Sequence, residues 1–567
     1  MGEELRIGVF VCRCGTNIAG FLDTEDVAEY AKTLPSVVFT RENLFSCSEA
    51  GVTDIKNAIT ENELTRVVVA ACTPLTHEPT FRAACEDAGL NPFLFEFVNI
   101  REQCSWVHKA LRDEATQKAK DLIRMGVARA ALLEPREAIV TDVIPSALVI
   151  GGGIAGLTAA LALGNRGFDV KLVEREEELG GMLRNLHQIY PYNLEAGEFI
   201  NSKIKEVEKS TKIEVLTGHS LQEVRGFIGN YQATVSSEDG STKDFKVGVI
   251  IVATGASLLV PEGMFNYNGE DVINQLELEE SLKNGKLDAK NIVMIKCVGA
   301  RVKERVYCSR ICCMTAIKDG ILIKKKNPDA NVHILYRDLM CYGVANEEML
   351  RQAKELGVRF VNYSLNKPPV VEDGKVKVHS NVLGRDLELE SDLVVLITPL
   401  VAREGAAELS KLLKVPLDEY KFFLEAHVKL RPNDFATDGI YICGSAHWPV
   451  STGEAIQQAL GAAARASIHL TNKKVKVEPI VSMLFDEDAC RGCGLCASLC
   501  PYAAIEMVET EKGIKAKMIE VACKGCGVCA ATCYKQAIKM NHYSNEQFTA
   551  QIRVAFQKKE AESGVQA

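Results

Sequence analysis

Residues 147–181 read ALVIGGGIAGLTAALALGNRGFDVKLVEREEELGG, and this stretch decides the fold. An apolar run, 147–150, enters Gly151-Gly152-Gly153-Ile154-Ala155-Gly156, which fits G-x-G-x-x-G, and an apolar helical segment follows. A second apolar strand, 169–173, ends on Glu174 and Arg175. Each glycine has a physical role: Gly151 permits the tight turn, Gly153 lets the backbone approach a pyrophosphate, and Gly156 lets the helix pack closely on the strand. The helix would open at Ile154 and Ala155 with its positive end towards the phosphates, and Glu174 stands where a carboxylate accepts a ribose hydroxyl. Strand, turn, helix, strand and acid together predict a dinucleotide site.

The same domain is expected to run over 141–285. A strand over 247–253 passes through Ala253 into Thr254-Gly255, a short turn that closes a dinucleotide half near its ligand. The pair Gly180-Gly181 after the acid resembles two-dinucleotide flavoproteins, which favours FAD over NAD. The chain returns to this domain over 419–477, where a strand ends at Cys443-Gly444-Ser445 and a helix is expected over 452–466. In related flavoproteins a Gly-Asp in that turn meets the cofactor; here Ser445 replaces the Asp. The helix N-terminus would favour negative charge on the ring. Cys443 is either a thiol beside the flavin or a buried packing group.

Between these parts, 286–418 reads as a second nucleotide-type fold whose phosphate turn has been replaced. After a strand at 292–296 comes Cys297-Val298-Gly299-Ala300-Arg301, and then Cys308-Ser309-Arg310-Ile311-Cys312-Cys313 opens a helix. Without the glycines, amides cannot close round a pyrophosphate. The spacing C-x10-C-x3-C-C suits a [4Fe–4S] cluster, against the alternative of four separate packing or reactive thiols.

Residues 1–140 alternate strands and helices, which predicts a parallel sheet with crossover helices. Strands are expected at 5–11, 37–40, 66–71 and 93–98, and helices at 24–33, 49–60, 80–88 and 105–133. Cys12, Cys14, Cys47, Cys72 and Cys104 all follow strand ends, so one rim of the sheet would gather them, as an iron–sulfur or zinc site requires. Which of Cys12 and Cys14 would ligate stays open. The competing reading is that these are buried apolar cysteines, the role expected for Cys85.

The most specific pattern lies in 478–567. Cys490, Cys493, Cys496 and Cys500, followed by Pro501, are spaced x2-x2-x3, and Cys523, Cys526, Cys529 and Cys533 repeat the spacing. In two-cluster ferredoxins the fourth cysteine of each run ligates the other cluster. That gives Cys490, Cys493, Cys496 and Cys533 to one cluster and Cys523, Cys526, Cys529 and Cys500 to the other. The segment after His542 is expected to be helical or loose.

Composition narrows the class. With 567 residues, three or four domains of roughly 150 residues are expected. A net charge of −9 gives no electrostatic case for nucleic acid or an anionic membrane. No apolar run is long enough for a membrane span, and the charged start MGEELRIG does not read as a secretory leader, so a cytoplasmic location is expected. Twenty cysteines in a reducing compartment point to metal rather than disulfides.

The order of parts resembles the A-subunit family of heterodisulfide reductase. The resemblance is carried by VCRCGTNIAG, AACTPLTHEPTFR and NIREQCSWVH, by the stretch beginning VIGGGIAG, by KCVGARVKERVYCSRICC with HILYRD, and by the two ferredoxin runs. It implies an α/β chain with a thioredoxin-reductase-like FAD core, an N-terminal α/β iron–sulfur domain and a C-terminal two-cluster ferredoxin domain. It further implies about four [4Fe–4S] clusters, one of them on Cys297, Cys308, Cys312 and Cys313. The partners it implies are other subunits of a redox complex: B- and C-like subunits, hydrogenase- or dehydrogenase-linked, and ferredoxin. Some members split electron pairs between a high- and a low-potential acceptor. Methanogen-type members often carry a further ferredoxin-like insert in the flavin domain, whereas 201–244 holds no cysteine. The expected activity is that of an oxidoreductase subunit moving electrons through FAD and clusters. The alternatives are a self-contained NAD(P)H or quinone oxidoreductase, and an iron–sulfur scaffold or redox sensor.

Overall fold

The structure, a computed structural model, describes residues 4–556. The first three residues of the expected N-terminal domain and the last eleven of the expected tail lie outside them. The chain forms two compact units. One combines the described parts of Met1–Ile139 and Lys476–Ala567, and the other is Val140–Val475. The first and last of the expected segments therefore share a unit.

The first unit opens with β1 (Ile7–Cys12), α1 (Thr24–Ala31), β2 (Val37–Asn43), α2 (Glu49–Glu61), β3 (Arg66–Ala71), α3 (Pro74–Asp87), β4 (Phe95–Asn99) and α4 (Arg112–Ala130). The strands form a parallel sheet in the order β2-β1-β3-β4. Helices cover its faces, which is why every residue of β1 is buried and why β1 and β3 read as continuous apolar runs. Helix α3 begins six residues before the expected start. Pro74 can open it, since its missing N–H would have had no partner in the first turn. Helix α4 starts at Arg112 because a single π turn, Arg101–Ser105, intervenes after β4.

The second unit runs through β5 (Ser146–Ile150), α5 (Ile154–Gly164), β6 (Asp169–Val173), β7 (Ile213–Leu216) and β8 (Val249–Val252). It continues with β9 (Val272–Asn274), α6 (Gln275–Lys283), β10 (Asn291–Lys296), α7 (Cys312–Lys326), β11 (Asn331–Tyr336), β12 (Arg359–Asn362) and β13 (Leu393–Ile397). It closes with β14 (Ile440–Ile442) and α8 (Thr452–Asn472). Two parallel five-stranded sheets result, ordered β7-β6-β5-β8-β14 and β9-β13-β10-β11-β12. Helices α5 and α8 pack together through buried alanines, among them Ala159, Ala160, Ala459, Ala462 and Ala463, and these small side chains let the backbones come close. Each fully buried branched residue of the central strands, such as Leu148 or Ile250, contributes about 1.5–3 kcal/mol.

The remainder of the first unit is two short antiparallel hairpin-like pairs with α9 (Leu495–Leu499) and α10 (Val528–Thr532) round a small core of Ile505, Ala516, Cys529 and Ile538. A last helix, α11 (Asn545–Ala555), is capped by Ser544 and Gln547 and packs on α4. Three polar contacts fix it there: Arg124 donates to the Val554 carbonyl at 3.0 Å, Gln547 to that of Leu132 at 3.0 Å, and Arg129 to that of His542 at 2.6 Å. Among the described residues no helix is long and apolar enough to cross a membrane.

Candidate functional site

The turn after β5 lies at the carboxyl end of its sheet, where doubly wound folds bind ligands. Gly151 adopts φ +111°, and a Cβ there would meet the Ala253 carbonyl oxygen at 2.4 Å. A Cβ on Gly156 would stand 1.7 Å from the Gly151 oxygen, so the helix can sit this close only with glycine. Gly153 is the N-cap of α5 and supplies no side-chain cap, which leaves the first amides of the helix to an anion from outside.

A cleft opens in two compartments. The first, about 230 Å³, is lined by Gly151, Glu174, Arg175, His219, Thr254 and Arg403 among others. The second, about 160 Å³, is lined by Gly153, Ile154, Ala155, Gly181, Ala253, Thr254, Gly255 and Ser445, again with Glu174 and Arg403. Shared walls make the two one elongated groove across the turn, the shape an extended dinucleotide requires. Of the expected site residues, Gly156 and Gly444 stand behind the wall: Gly444 approaches Ala155 and donates its N–H to the Gln458 side chain at 3.0 Å. Cys443 is fully buried outside the groove, and burial pushes its thiol up to about 12. Residues unseen in the sequence complete it. Arg403 reaches in from a distant loop and donates to the Thr254 carbonyl at 3.2 Å; no local motif marks it.

The Glu174 carboxylate is buried and accepts two backbone N–H groups, from Gly152 at 2.6 Å and Glu176 at 3.0 Å. Each oxygen keeps a second lone pair for a ligand hydroxyl. The open helix start, the glycine cradle and this acid fit FAD.

Ile311 and Thr315 also line the second compartment, and between them stand Cys312 and Cys313 at the start of α7. Cys297 takes the left-handed conformation at φ +61°, which turns the chain back after β10 where a phosphate turn would lie. Burial, with Cys297, Cys313 and Cys308 adding to it, pushes the Cys312 thiol up to about 12, so the other three cysteines lie close enough to act on it. Such a group is a poor nucleophile and a good iron site, because bound iron offsets the repulsion of crowded thiolates. The sulfurs already accept hydrogen bonds, Cys313 from the Met340 N–H at 3.2 Å and Cys308 from that of Arg310 at 3.4 Å. Cys341 is buried nearby with no spacing or donor that singles it out.

At the β-sheet rim of the first unit the structure gathers Cys12, Cys14, Cys47 and Cys72. Cys14 lies beyond β1, two residues after Cys12, in a left-handed turn with φ +46°. Burial raises the Cys47 thiol, with Cys12 and Cys14 adding to it. It drives Cys72 up to about 11, with Arg101 opposing and the other three thiols adding. The Ser46 N–H donates to the Cys12 sulfur at 3.4 Å and Arg101 reaches that of Cys14 at 3.9 Å. Cys104 stands apart: the π turn winds it onto α4, where its thiol donates to the Ala115 carbonyl at 3.1 Å. Cys85 is wholly buried, as core.

In the C-terminal part, Cys490, Cys493, Cys496 and Cys533 line one small cavity, so the fourth cysteine of the second run joins the first run. Burial raises the Cys529 thiol, and Cys523 and Cys500 add to it, so Cys500 of the first run lies beside the second run. Cys500 accepts the Ala504 N–H at 3.2 Å and Cys523 that of Ser482 at 3.4 Å. All twenty cysteines are free thiols. Among the described residues no three metal-binding side chains close round the point a single ion would take. A cubane binds each thiolate at a different corner, so its ligands stand farther apart.

Comparison with known proteins finds relatives over nearly the whole chain. Residues 145–464 match the pyridine nucleotide-disulphide oxidoreductase family, and 489–537 match the 4Fe-4S dicluster domain. The second of two iron-sulfur A-subunits of CoB–CoM heterodisulfide reductase in Methanopyrus kandleri is 39% identical over 98% of this chain and 99% of its own length. The A-subunit of the H(2):CoB-CoM heterodisulfide,ferredoxin reductase of Methanothermobacter marburgensis is 37% identical over 98% of each. The first alignment spans 653 positions, more than the 567 residues here, so part of that relative has no counterpart in this chain. Among solved structures, Lactococcus lactis thioredoxin reductase is 17% identical with a TM-score of 0.42, covering 58% of this chain and 99% of its own. The chain is an oxidoreductase that uses FAD and [4Fe–4S] clusters to transfer electrons. It belongs to the A-subunit family of heterodisulfide reductase.

Proposed function

We propose that this chain passes electrons between FAD, held in the groove at Gly151–Gly156 and Glu174, and four [4Fe–4S] clusters, and exchanges them with partner subunits. The clusters would be held by Cys12, Cys14, Cys47 and Cys72, by Cys297, Cys308, Cys312 and Cys313, and by the two ferredoxin sets. The observation that carries the reading is the common wall: Ile311 and Thr315 face the groove from the helix start that bears Cys312 and Cys313. Bound FAD supplies exchange between two-electron and one-electron chemistry, and the clusters carry single electrons.

The protein's part is placement. Arg310 pairs with Glu454 and donates to the Tyr342 hydroxyl at 2.9 Å, tying the thiol loop to the first turn of α8 beside the groove. Glu454 also closes the capping box of α8 by accepting the Ser451 N–H at 2.9 Å, so the same carboxylate orders both walls. Among the described residues lining the groove no nucleophile stands paired with a base, and the acceptor chemistry is assigned to partners. Those partners are B- and C-like subunits, a hydrogenase- or dehydrogenase-linked donor, and ferredoxin. A relative named for both heterodisulfide and ferredoxin supports splitting of electron pairs between two acceptors. Free thiols throughout suit a reducing, cytoplasmic setting.

Two measurements test this. Anaerobic iron and sulfide analysis should give about sixteen of each per chain; about eight would leave only the ferredoxin sets loaded. Stopped-flow mixing of the isolated chain with NADH should leave the flavin oxidised, and rapid bleaching without partners would instead make the protein a self-contained NADH oxidoreductase.

A further inference from the structure

Lys296 ends β10, immediately before Cys297, and its side chain is wholly buried. Its ammonium lies 2.9 Å from the Cys313 sulfur and 3.1 Å from the Asp338 carbonyl oxygen, with the Tyr336 ring 5.9 Å away. Among the described residues no carboxylate lies within ion-pair range of it; the Asp338 carboxylate is engaged by Arg301 at 2.6 Å. A buried cation is costly without a counter-charge, and a Cys313 sulfur bound to iron would supply one. The backbone beneath is held as well, since the Tyr363 hydroxyl donates to the Lys296 carbonyl at 2.6 Å.

Other thiols, Cys308 of the same set included, are served differently. Cys308, Cys500, Cys523 and Cys12 accept neutral backbone N–H groups, and Arg101 reaches Cys14 only at 3.9 Å while pairing with Glu102. Cys313 alone among them has a buried cation without a carboxylate partner as hydrogen-bond donor. Hydrogen bonds and charge at the sulfurs set the potential of an iron–sulfur cluster. Reduction adds negative charge, which a fixed positive charge in a poorly screened interior stabilises.

We infer that Lys296 is the positioning residue that raises the reduction potential of the cluster beside the flavin groove, through its charged hydrogen bond to the Cys313 sulfur. The inference rests on the proposed ligation by Cys297, Cys308, Cys312 and Cys313. It makes this centre an easier electron acceptor than its cysteine set alone would be, and so biases electrons leaving the groove towards it.

The test is an anaerobic redox titration of the full-length protein followed by electron paramagnetic resonance, with iron analysis of every sample. The variants are Lys296→Met, Lys296→Arg and Cys313→Ser. Cys313→Ser should remove or alter one signal and identify it. Lys296→Met should keep that signal and lower its midpoint by at least about 59 mV, a tenfold change in the reduced-to-oxidised ratio for one electron, while Lys296→Arg keeps most of the wild-type potential. A midpoint unmoved in Lys296→Met overturns the inference alone. A Cys313→Ser protein with every signal and all its iron intact overturns the ligand assignment, and the inference with it. Loss of the cluster from both lysine variants would make Lys296 an assembly residue and also overturns the inference.

Discussion

Glu174 and Gly152, twenty-two positions apart, are joined by a 2.6 Å hydrogen bond from the Gly152 N–H to a carboxylate oxygen of the acid. The acid that the motif reserves for a ribose thus also holds the phosphate turn in shape. Removing it leaves a buried N–H unpaired, at a cost of about 1–3 kcal/mol. Glu174→Ala should therefore weaken FAD binding by roughly tenfold or more, and Glu174→Gln, which keeps an acceptor, should weaken it less. Fluorescence titration of flavin-free protein reads both, and equal affinities for all three forms would show that the acid serves neither turn nor ligand.

Two glycines of the same turn should fail for different reasons. Gly156→Ala puts a Cβ 1.7 Å from the Gly151 oxygen, so α5 must move and the protein should be isolated misfolded or without flavin. Among the described residues, chain neighbours and the helix's own backbone aside, an added Cβ at Gly153 would meet nothing nearer than the Gly181 Cα at 4.0 Å. Gly153→Ala should therefore keep the wild-type fold by circular dichroism and lose flavin absorbance. Full flavin occupancy in Gly153→Ala would mean that the dinucleotide does not pass over this residue.

Cys72 and Cys104 make a matched pair for the N-terminal centre. Cys72→Ser should cost about four irons per chain, while Cys104→Ser, whose thiol bonds the Ala115 carbonyl, should leave the count unchanged. Iron analysis after anaerobic reconstitution separates them, and the reverse result would move the fourth ligand to Cys104.

Lys318 is buried with Glu279 and Asp319, and its ammonium also donates to the Gln188 carbonyl at 3.2 Å, so one cation binds α7 to α6 and to the short strand Gln188–Ile189. Lys318→Met leaves buried carboxylates without their cation and should destabilise this unit by about 3–5 kcal/mol. Hydrogen exchange of α6 and α7 should accelerate accordingly. Unchanged exchange would show that the carboxylates stay protonated and need no cation, a state favoured by the burial that raises the Asp319 carboxyl well above its usual range.

His542 sits where the C-terminal segment meets α4, and burial, reinforced by Arg129, Arg82 and Arg136, holds its imidazole down at about 3. The unfolded chain would take up a proton near pH 6.5 and the folded one only near pH 3. Stability from this contact is therefore complete above about pH 6.5 and falls as pH drops from there towards 3. Hydrogen exchange in α11 should rise between pH 7 and 5.5, after correction for intrinsic rates, and His542→Asn should flatten the rise. An equal slope in the variant would exclude His542 as its cause.

Local chemistry was enough for much of this protein. A glycine turn followed by an acid, a repeated x2-x2-x3 cysteine spacing and buried-strand runs each act within a few tens of residues, so the dinucleotide fold and the two-cluster ferredoxin domain were legible in the residues themselves. What depended on distance was not. Cys104 leaves the rim because a π turn swings it onto α4, where its thiol donates to the Ala115 carbonyl. Arg403 reaches the groove from a distant loop, and Lys296 meets Cys313 across a strand end and a helix start. Spacing along a chain sets which residues can be neighbours on one element; burial, turn handedness and packing between elements decide which sulfur, cation and carbonyl finally meet.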